Sequence, residues 1–382
     1  MPAGTIAVVG AVMAGALITT AQASPNLPAR TPAQLLAAVA GRTGPAPALT
    51  GTVVETTRLG LPDLPGMSNP TSVAALLTGS HTVKIWYSDS DHFRLSVPSS
   101  LTESDLIADG STFWYWQSNT NSATRYLAPA DARKHPADAR PAQVPLTPQQ
   151  AARQVLAAVG PTTRVSVQSN VIVAGEDAYQ LVLAPKSRSS LVGQVRIAVD
   201  ATRDVPLRVQ VYARGATSPA FQVGYTSVSF VRPAAANYDF SPPPGAKVST
   251  VRLPGDSSSA NARQHAQAAE PTVIGNGWLA VAVLPAADLG GLGGLSGSAA
   301  SASRAASSAA HAAAGSQSAG VNGEDTAALG ALVHSGTEVH GAWGSGQLVR
   351  TKLLSVLMTN DGRVLLGAVT PAVLYSAAAH AR

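Results

Sequence analysis

The chain of 382 residues contains no cysteine. That excludes disulfides, thiolate metal sites, a cysteine nucleophile and a cysteine for lipid attachment. Charge is scarce: Asp, Glu, Lys and Arg together make up 12%, about half the share of an ordinary soluble domain, and small or polar residues fill the difference. The net charge of +5 and the pI near 9.6 come from single, scattered arginines. There is no Lys/Arg run and no basic stripe interleaved with aromatics, which argues against nucleic-acid binding. Catalytic signatures are also missing. No Gly-x-Ser-x-Gly elbow, P-loop or dinucleotide fingerprint occurs, and Gly344-Ser345-Gly346 lacks the elbow spacing. The closest His/Glu trio, His334, Glu338 and His340, has no fourth ligand or helical His pair beside it. The composition therefore predicts a protein that is not an enzyme and holds no metal or cofactor.

Residues 5–18, TIAVVGAVMAGALI, form an apolar run followed by Ala21-Gln22-Ala23, the small-x-small pattern of a signal peptidase site. The run is shorter than the ~20 residues of a membrane-spanning helix. Residues 1–23 are thus read as a secretory signal cleaved before Ser24, or as an N-terminal anchor, since no Lys or Arg precedes the run. Either form places the chain outside the cytoplasm.

Aromatics are few, at 5%, yet four of them, Phe113, Trp114, Tyr115 and Trp116, stand side by side. Asp109-Gly110 leads into this run and the polar stretch 118–121 leaves it, so it reads as a hairpin strand. Alternate side chains of a strand face opposite ways, which puts Phe113 and Tyr115 on one side and Trp114 and Trp116 on the other. Both faces are apolar, and something must cover each of them.

Eleven such strands are legible before residue 240, at 51–59, 82–87, 93–97, 106–108, 112–116, 123–127, 163–173, 179–183, 193–199, 206–212 and 221–231. Short turns imply antiparallel pairing. Helices start at Thr31-Pro32-Ala33-Gln34 and Thr147-Pro148-Gln149-Gln150, each a capping box with Pro at the first helical position, and end near 40 and 159. A third starts at Thr370-Pro371. Residues 249–271, within a Pro/Ser/Ala/Gln-rich stretch, read as a linker. A smaller unit of strands and a closing helix follows at 272–382, interrupted by an Ala/Ser/Gly tract at 286–323 that has too few large apolar residues to offset its ordering entropy.

Three stretches in this order resemble the LolA-type carriers of bacterial lipoproteins and their RseB/MucB-type relatives. ADGSTFWYW at 108–116 is similar to the family's aromatic strand, YQLVLAPK at 179–186 to its central block, and YDFSPPPGAKV at 238–248 to its closing signature. The likeness spans 31–248 and implies a mainly β (α+β) fold: a curved antiparallel half-barrel covered by helices around an apolar hollow, with a small C-terminal β module and a terminal helix. It implies that one face of the aromatic strand lines the hollow and the other packs outside, without fixing which pair does which; with Trp114 and Trp116 taken as the inward pair, the expected lining is Trp114, Trp116, Ile85, Leu95, Leu181 and Leu183. The family's Arg-Pro latch after the second strand is absent, because Tyr87-Ser88-Asp89 occupies its place. An apolar insertion carrying Leu61, Leu64, Met67, Leu76 and Leu77 is the expected lid in its stead.

The resemblance implies a carrier of acyl lipid or lipoprotein in the periplasm or extracytoplasmic envelope. The C-terminal module, more weakly similar to the second domain of the RseB/MucB type, implies instead a regulator that clamps a membrane anti-sigma factor; a non-catalytic envelope interaction module is the third reading. Amino-terminal sequencing of the protein from an exporting host should begin at Ser24, and a sequence starting at residue 1 would remove the cleavage reading.

Overall fold

The computed structural model describes residues 25–41, 46–60, 78–99, 101–127, 147–157, 159–252, 272–285 and 336–381. The signal-like segment, the lid residues Leu61, Leu64, Met67, Leu76 and Leu77, and the 286–323 tract lie outside the described residues. The protein is mainly β: one large, open, curved sheet, a separate six-stranded sheet and a C-terminal helix. Among the described residues no helix is long and apolar enough to cross a membrane.

The large sheet contains β1 (Leu49–Arg58), β2 (Thr78–Tyr87), β3 (His92–Pro98), β4 (Glu103–Asp109), β5 (Thr112–Gln117), β6 (Ser122–Leu127), β7 (Thr163–Val173), β8 (Glu176–Pro185), β9 (Val192–Asp200), β10 (Pro206–Ala213), β11 (Phe221–Ser229) and β12 (Lys247–Arg252). Their spatial order is β12-β6-β5-β4-β3-β2-β1-β11-β10-β9-β8-β7. The eleven strands legible in the sequence all form and pair antiparallel with their neighbours. The twelfth, β12, begins at the end of the 31–248 likeness and continues into the stretch read as a linker, and it runs parallel to β6. All six of its residues are exposed, so no buried face marks it in the sequence.

One face of this sheet, here the inner face, carries the core. Val53, Val83, Leu181, Leu183, Ile197, Val209 and Val223 stand on it, each at most 1% exposed, and each such burial contributes about 1.5–3 kcal/mol. Two helices lie against it: α1 (Pro32–Ala40), through Leu35 and Val39, and α2 (Pro148–Ala157), through Ala151, Ala152 and Val155. Both start as their sequences dictate. In α1 the Gln34 amide N–H donates to Thr31 Oγ1 at 3.2 Å while Gln34 Oε1 accepts from the Thr31 N–H at 2.8 Å; in α2 the Gln150 and Thr147 pair repeats this at 3.3 and 3.0 Å.

The second sheet runs β13 (Thr272–Ile274), β14 (Val281–Pro285), β18 (Arg363–Gly367), β17 (Ser355–Thr359), β16 (Gly344–Arg350), β15 (Thr337–Gly341), and α3 (Pro371–His380) packs on it through Leu374, Ala377 and Ala378. It is joined to one end of the large sheet by backbone bonds: Leu191 N–H to Ala368 O at 2.9 Å, Thr370 N–H to Ser189 O at 2.8 Å, and Lys352 N–H to Leu59 O at 2.9 Å. The Trp278 indole N–H donates to Thr163 Oγ1 at 2.7 Å in the buried junction. Trp278, Leu353 and Ala368 are themselves part of the large sheet's core.

The opposite, outer face of the aromatic strand is covered by the chain itself. After β11 the segment 230–246 leaves one end of the sheet, where Arg232 hydrogen-bonds Ser88 Oγ and Tyr238 stands 6.1 Å from His92. It reaches the other end at Gly245, whose carbonyl accepts from the Asn121 amide at 3.0 Å. Between these anchors Phe240 meets Trp114 edge-on at 5.4 Å and Trp116 at 6.1 Å. Arg125 lies over the Trp114 ring at 5.7 Å, and Arg94, over Trp86, pairs with the buried Asp105. Replacing Phe240 with Ala should lower stability by about 1–3 kcal/mol, less than a fully buried Phe because the ring is half-buried. The check is a shift in the urea midpoint accompanied by a red shift of tryptophan emission.

Candidate functional site

Cross-strand register decides which predicted lining residues share a face. Ile85 pairs with Leu95, Leu95 with Leu106, and Leu106 with Tyr115; Ala108 pairs with Phe113, and Phe113 with Tyr126. Across β1 and β11 the same face continues from Val53 to Tyr225, then through Val223, Val209 and Ile197 to Leu181. Ile85, Leu95, Leu181 and Leu183 therefore belong to the inner face, together with Phe113 and Tyr115. Trp114 and Trp116 do not: they pair with Ile107 and Asp105 on the outer face, beneath Phe240. The two tryptophans, expected in the hollow with Ile85, Leu95, Leu181 and Leu183, thus stand on the opposite face of the sheet from them. Strand alternation put the two pairs on opposite faces, but which pair faced inward depended on β3 and β4 neighbours that the strand's own sequence does not name.

The inner face has two halves of different character. On β7 to β11 it is closed by α1 and α2, and Leu181 and Leu183 are fully buried core residues. On β2 to β6 the face is only partly buried: Tyr87, Phe93, Leu95, Val97, Tyr115 and Tyr126 are each half-buried, flanking the buried Ile85, Leu106 and Phe113. The charged residues of these strands from Lys84 onward, namely Lys84, Arg94, Glu103, Asp105, Asp109 and Arg125, alternate to the outer face. Beyond Val83 what remains inward is an aromatic and aliphatic surface whose polar atoms are hydroxyls and the Gln117 amide; at the start of β2, His81 shares this face and stands opposite the buried Glu55 of β1. The surface is suited to a long apolar ligand, with one imidazole and one buried carboxylate at its β1 margin.

Burial accounts for the titration of its phenols. Tyr87, Tyr115 and Tyr126 are all raised above the usual tyrosine value by desolvation, with Ser104 opposing the shift at Tyr115. Tyr225, at the boundary with the packed half, is pushed up to about 12 by burial, while its bond with the Gln149 amide of α2 at 3.0 Å works the other way.

The turn after β2, where the latch is missing, is tied by Arg232, which bonds Ser88 and lies 3.7 Å from Asp89. A shallow depression of about 230 Å³ lies on the outer side of the β-bulge at Thr52 and Val53, walled by Trp86 and Lys84. Of the His/Glu trio, Glu338 and His340 stand 3.7 Å apart and exposed on β15, and His334 lies outside the described residues.

No family model matches the sequence, and no curated protein matches it. Among solved structures it is similar in fold to MucB of Pseudomonas aeruginosa in a MucA/MucB complex, at 13% identity over 90% of this chain and 94% of that one, with a TM-score of 0.38. It is also similar to an uncharacterized conserved protein from Thermus thermophilus, at 12% identity over 58% of this chain and 98% of that one, TM-score 0.30. A LolA superfamily protein from Nitrosomonas europaea matches at 12% identity over 56% and 99%, TM-score 0.23. All three TM-scores lie under 0.5, and the site is defined by the registers and contacts given above.

The fold favours the neutral phenol of Tyr225, so the stability this residue contributes is full below the unfolded value of 10.0 and is lost as pH rises toward about 12. The urea midpoint should fall across that window while the phenolate absorbance of Tyr225 lags the exposed tyrosines. A phenolate signal complete at the ordinary value, with the fold intact, would contradict the burial argument.

Proposed function

We infer that the protein is a non-catalytic binding protein of the extracytoplasmic envelope that holds an acyl chain, of a lipid or a lipoprotein, against the inner face of β2 to β6. The observation that carries this reading is the sidedness of those strands: from Lys84 onward their charged side chains alternate outward, and Tyr87, Phe93, Leu95, Val97, Tyr115 and Tyr126 stand half-buried on the inner face. The sequence resemblance to lipoprotein carriers supports the same ligand class. Each methylene transferred from water gains about 0.8 kcal/mol, so a chain of about sixteen carbons would gain on the order of ten kcal/mol. Release on a useful timescale then calls for a cover that opens, the role expected of the 61–77 segment.

A second reading is a regulator that clamps an extracytoplasmic segment of a membrane anti-sigma factor. It is favoured by the second sheet, whose backbone bonds at Leu191, Thr370 and Lys352 fix it to the large sheet as one composite surface. Affinity capture from solubilised membranes separates the two, since a carrier retrieves lipoproteins and a regulator one membrane partner.

Protein purified without detergent should carry an acyl species detectable by native mass spectrometry and lipid extraction. Leu95→Glu and Tyr115→Glu, which place a charge on the inner face, should each reduce its occupancy by about tenfold or more. Trp114→Glu should leave it bound while loosening the outer face. Loss of the ligand in Trp114→Glu with retention in folded Leu95→Glu would transfer the site to the other side of the sheet.

A further inference from the structure

The outer face of the β7 to β11 half carries a group of donors that the lipid reading does not use. Arg196 pairs directly with Gln210, and Arg208 with Ala198, so the two arginines occupy diagonal positions on one face, a spacing of about 7–8 Å. Arg196 is stacked on the Tyr212 ring with its guanidinium carbon 4.5 Å from the centroid, and its Nε is buried without a hydrogen-bond partner. Arg208 lies across β11 in the space left by Gly224, where an added Cβ would come within 2.8 Å of the arginine Cγ. Among the described residues neither guanidinium is ion-paired.

Three amide oxygens on this face accept from neighbours other than the two arginines. Gln222 Oε1 accepts from the Gln210 amide at 2.6 Å, Gln210 Oε1 from the Tyr212 hydroxyl at 3.4 Å, and Gln168 Oε1 from the Gln180 amide at 3.2 Å. The two carboxylates at the end of the face, Glu176 and Asp200, both face Arg203, at 3.4 and 3.7 Å. Among the described residues no carboxylate meets Arg196 or Arg208. Burial, with Arg196 as a like charge nearby, holds Arg208 below the usual guanidinium value even though the Tyr212 hydroxyl favours the charged form. Taking cationic donors out of water without an acceptor is costly, and the planar guanidinium fork matches a tetrahedral oxyanion, which accepts two parallel bonds from each group.

We propose that Arg196 and Arg208 form a binding site for a phosphate group on the outer face of the sheet, opposite the packed core and separate from the acyl-binding face. Tyr212 holds one guanidinium in place by stacking and Gly224 makes room for the other. The phosphate arrives either free or as the headgroup of an anionic lipid, and the two sources share the same recognition.

The test uses the full chain and two probes. Inorganic phosphate is titrated calorimetrically, and flotation is measured with vesicles of mixed phosphatidylglycerol and phosphatidylcholine against phosphatidylcholine alone; the apolar N-terminal segment is common to every sample and cancels in the comparison. Arg196→Gln and Arg208→Gln should each weaken binding by about tenfold or more. Arginine-dependent binding of phosphate assigns a free ion; arginine-dependent preference for phosphatidylglycerol without phosphate binding assigns a headgroup. Binding of neither probe, or equal binding by the folded variants, overturns the site. If the variants do not fold, wild-type protein is treated with phenylglyoxal and the modified peptides are mapped. Arg196 and Arg208 should then be protected by the bound probe, while Arg214, held by the Ser187, Ser190 and Val192 carbonyls, should not; lack of selective protection overturns the proposal equally.

Discussion

The structure depends on a register that is carried from strand to strand across β6 to β2, through β1 and β11, and on to β7. In a sheet a slip of one residue exchanges every side chain between faces. Here a single bulge at Thr52 and Val53 absorbs the irregularity between β1 and β11, and Val53 still pairs with Tyr225 on the inner face. Because the register holds, a hydrophobic core beneath two helices and an uncharged aromatic surface beside it become one continuous face. From Lys84 to Arg125 the charged side chains of β2 to β6 are gathered on the other.

That outer face would be a liability if it were left as it is read from β5, with two tryptophans in the open. The chain resolves this by crossing its own sheet. The segment between β11 and β12 is fixed at one end by Arg232 and at the other by Asn121, and it lays Phe240 on both indoles. The crossing also delivers β12 to the side of β6, which explains the one parallel pair in an otherwise antiparallel sheet. A connection that travels over a face, rather than turning back at its end, reaches the next strand in the parallel sense. The packing of the tryptophans and the topology of the edge thus have one cause.

The two halves of the large sheet differ in what they leave available. The packed half, under α1 and α2 and capped at one end by Trp278 and Leu353, has little inner surface left to offer a ligand. Its outer face, by contrast, carries Arg196, whose Nε is buried without a hydrogen-bond partner, with Arg208 beside it. The aromatic half shows the reverse pattern. Its outer face is filled by Phe240 and by the Arg94 and Asp105 pair, while its inner face remains half-exposed. The less covered surface lies on opposite sides of the two halves because the covering elements lie on opposite sides.

Local sequence determined a good deal. Capping boxes at Thr31 and Thr147 set two helix starts, alternation marked eleven strands of the large sheet, and the turn at Asp109-Gly110 placed the aromatic strand between its neighbours. These features depend on interactions within a few residues, so a reading of the chain in short windows recovers them. The tertiary structure alone decided which side of each strand became the inside. Trp114 and Phe113 are equally apolar, and only the pairing of Phe113 with Ala108 and of Tyr115 with Leu106 sends the tryptophans outward. The same holds for β12, whose exposed residues form a strand only because β6 presents an open edge, and for Phe240, whose role requires a contact more than a hundred residues away along the chain. Arg196 and Arg208 read as ordinary charged positions of alternating strands; that they stand together, with no counter-ion among the described residues, is a property of the folded sheet, since it takes the register of β9 on β10 to make them neighbours.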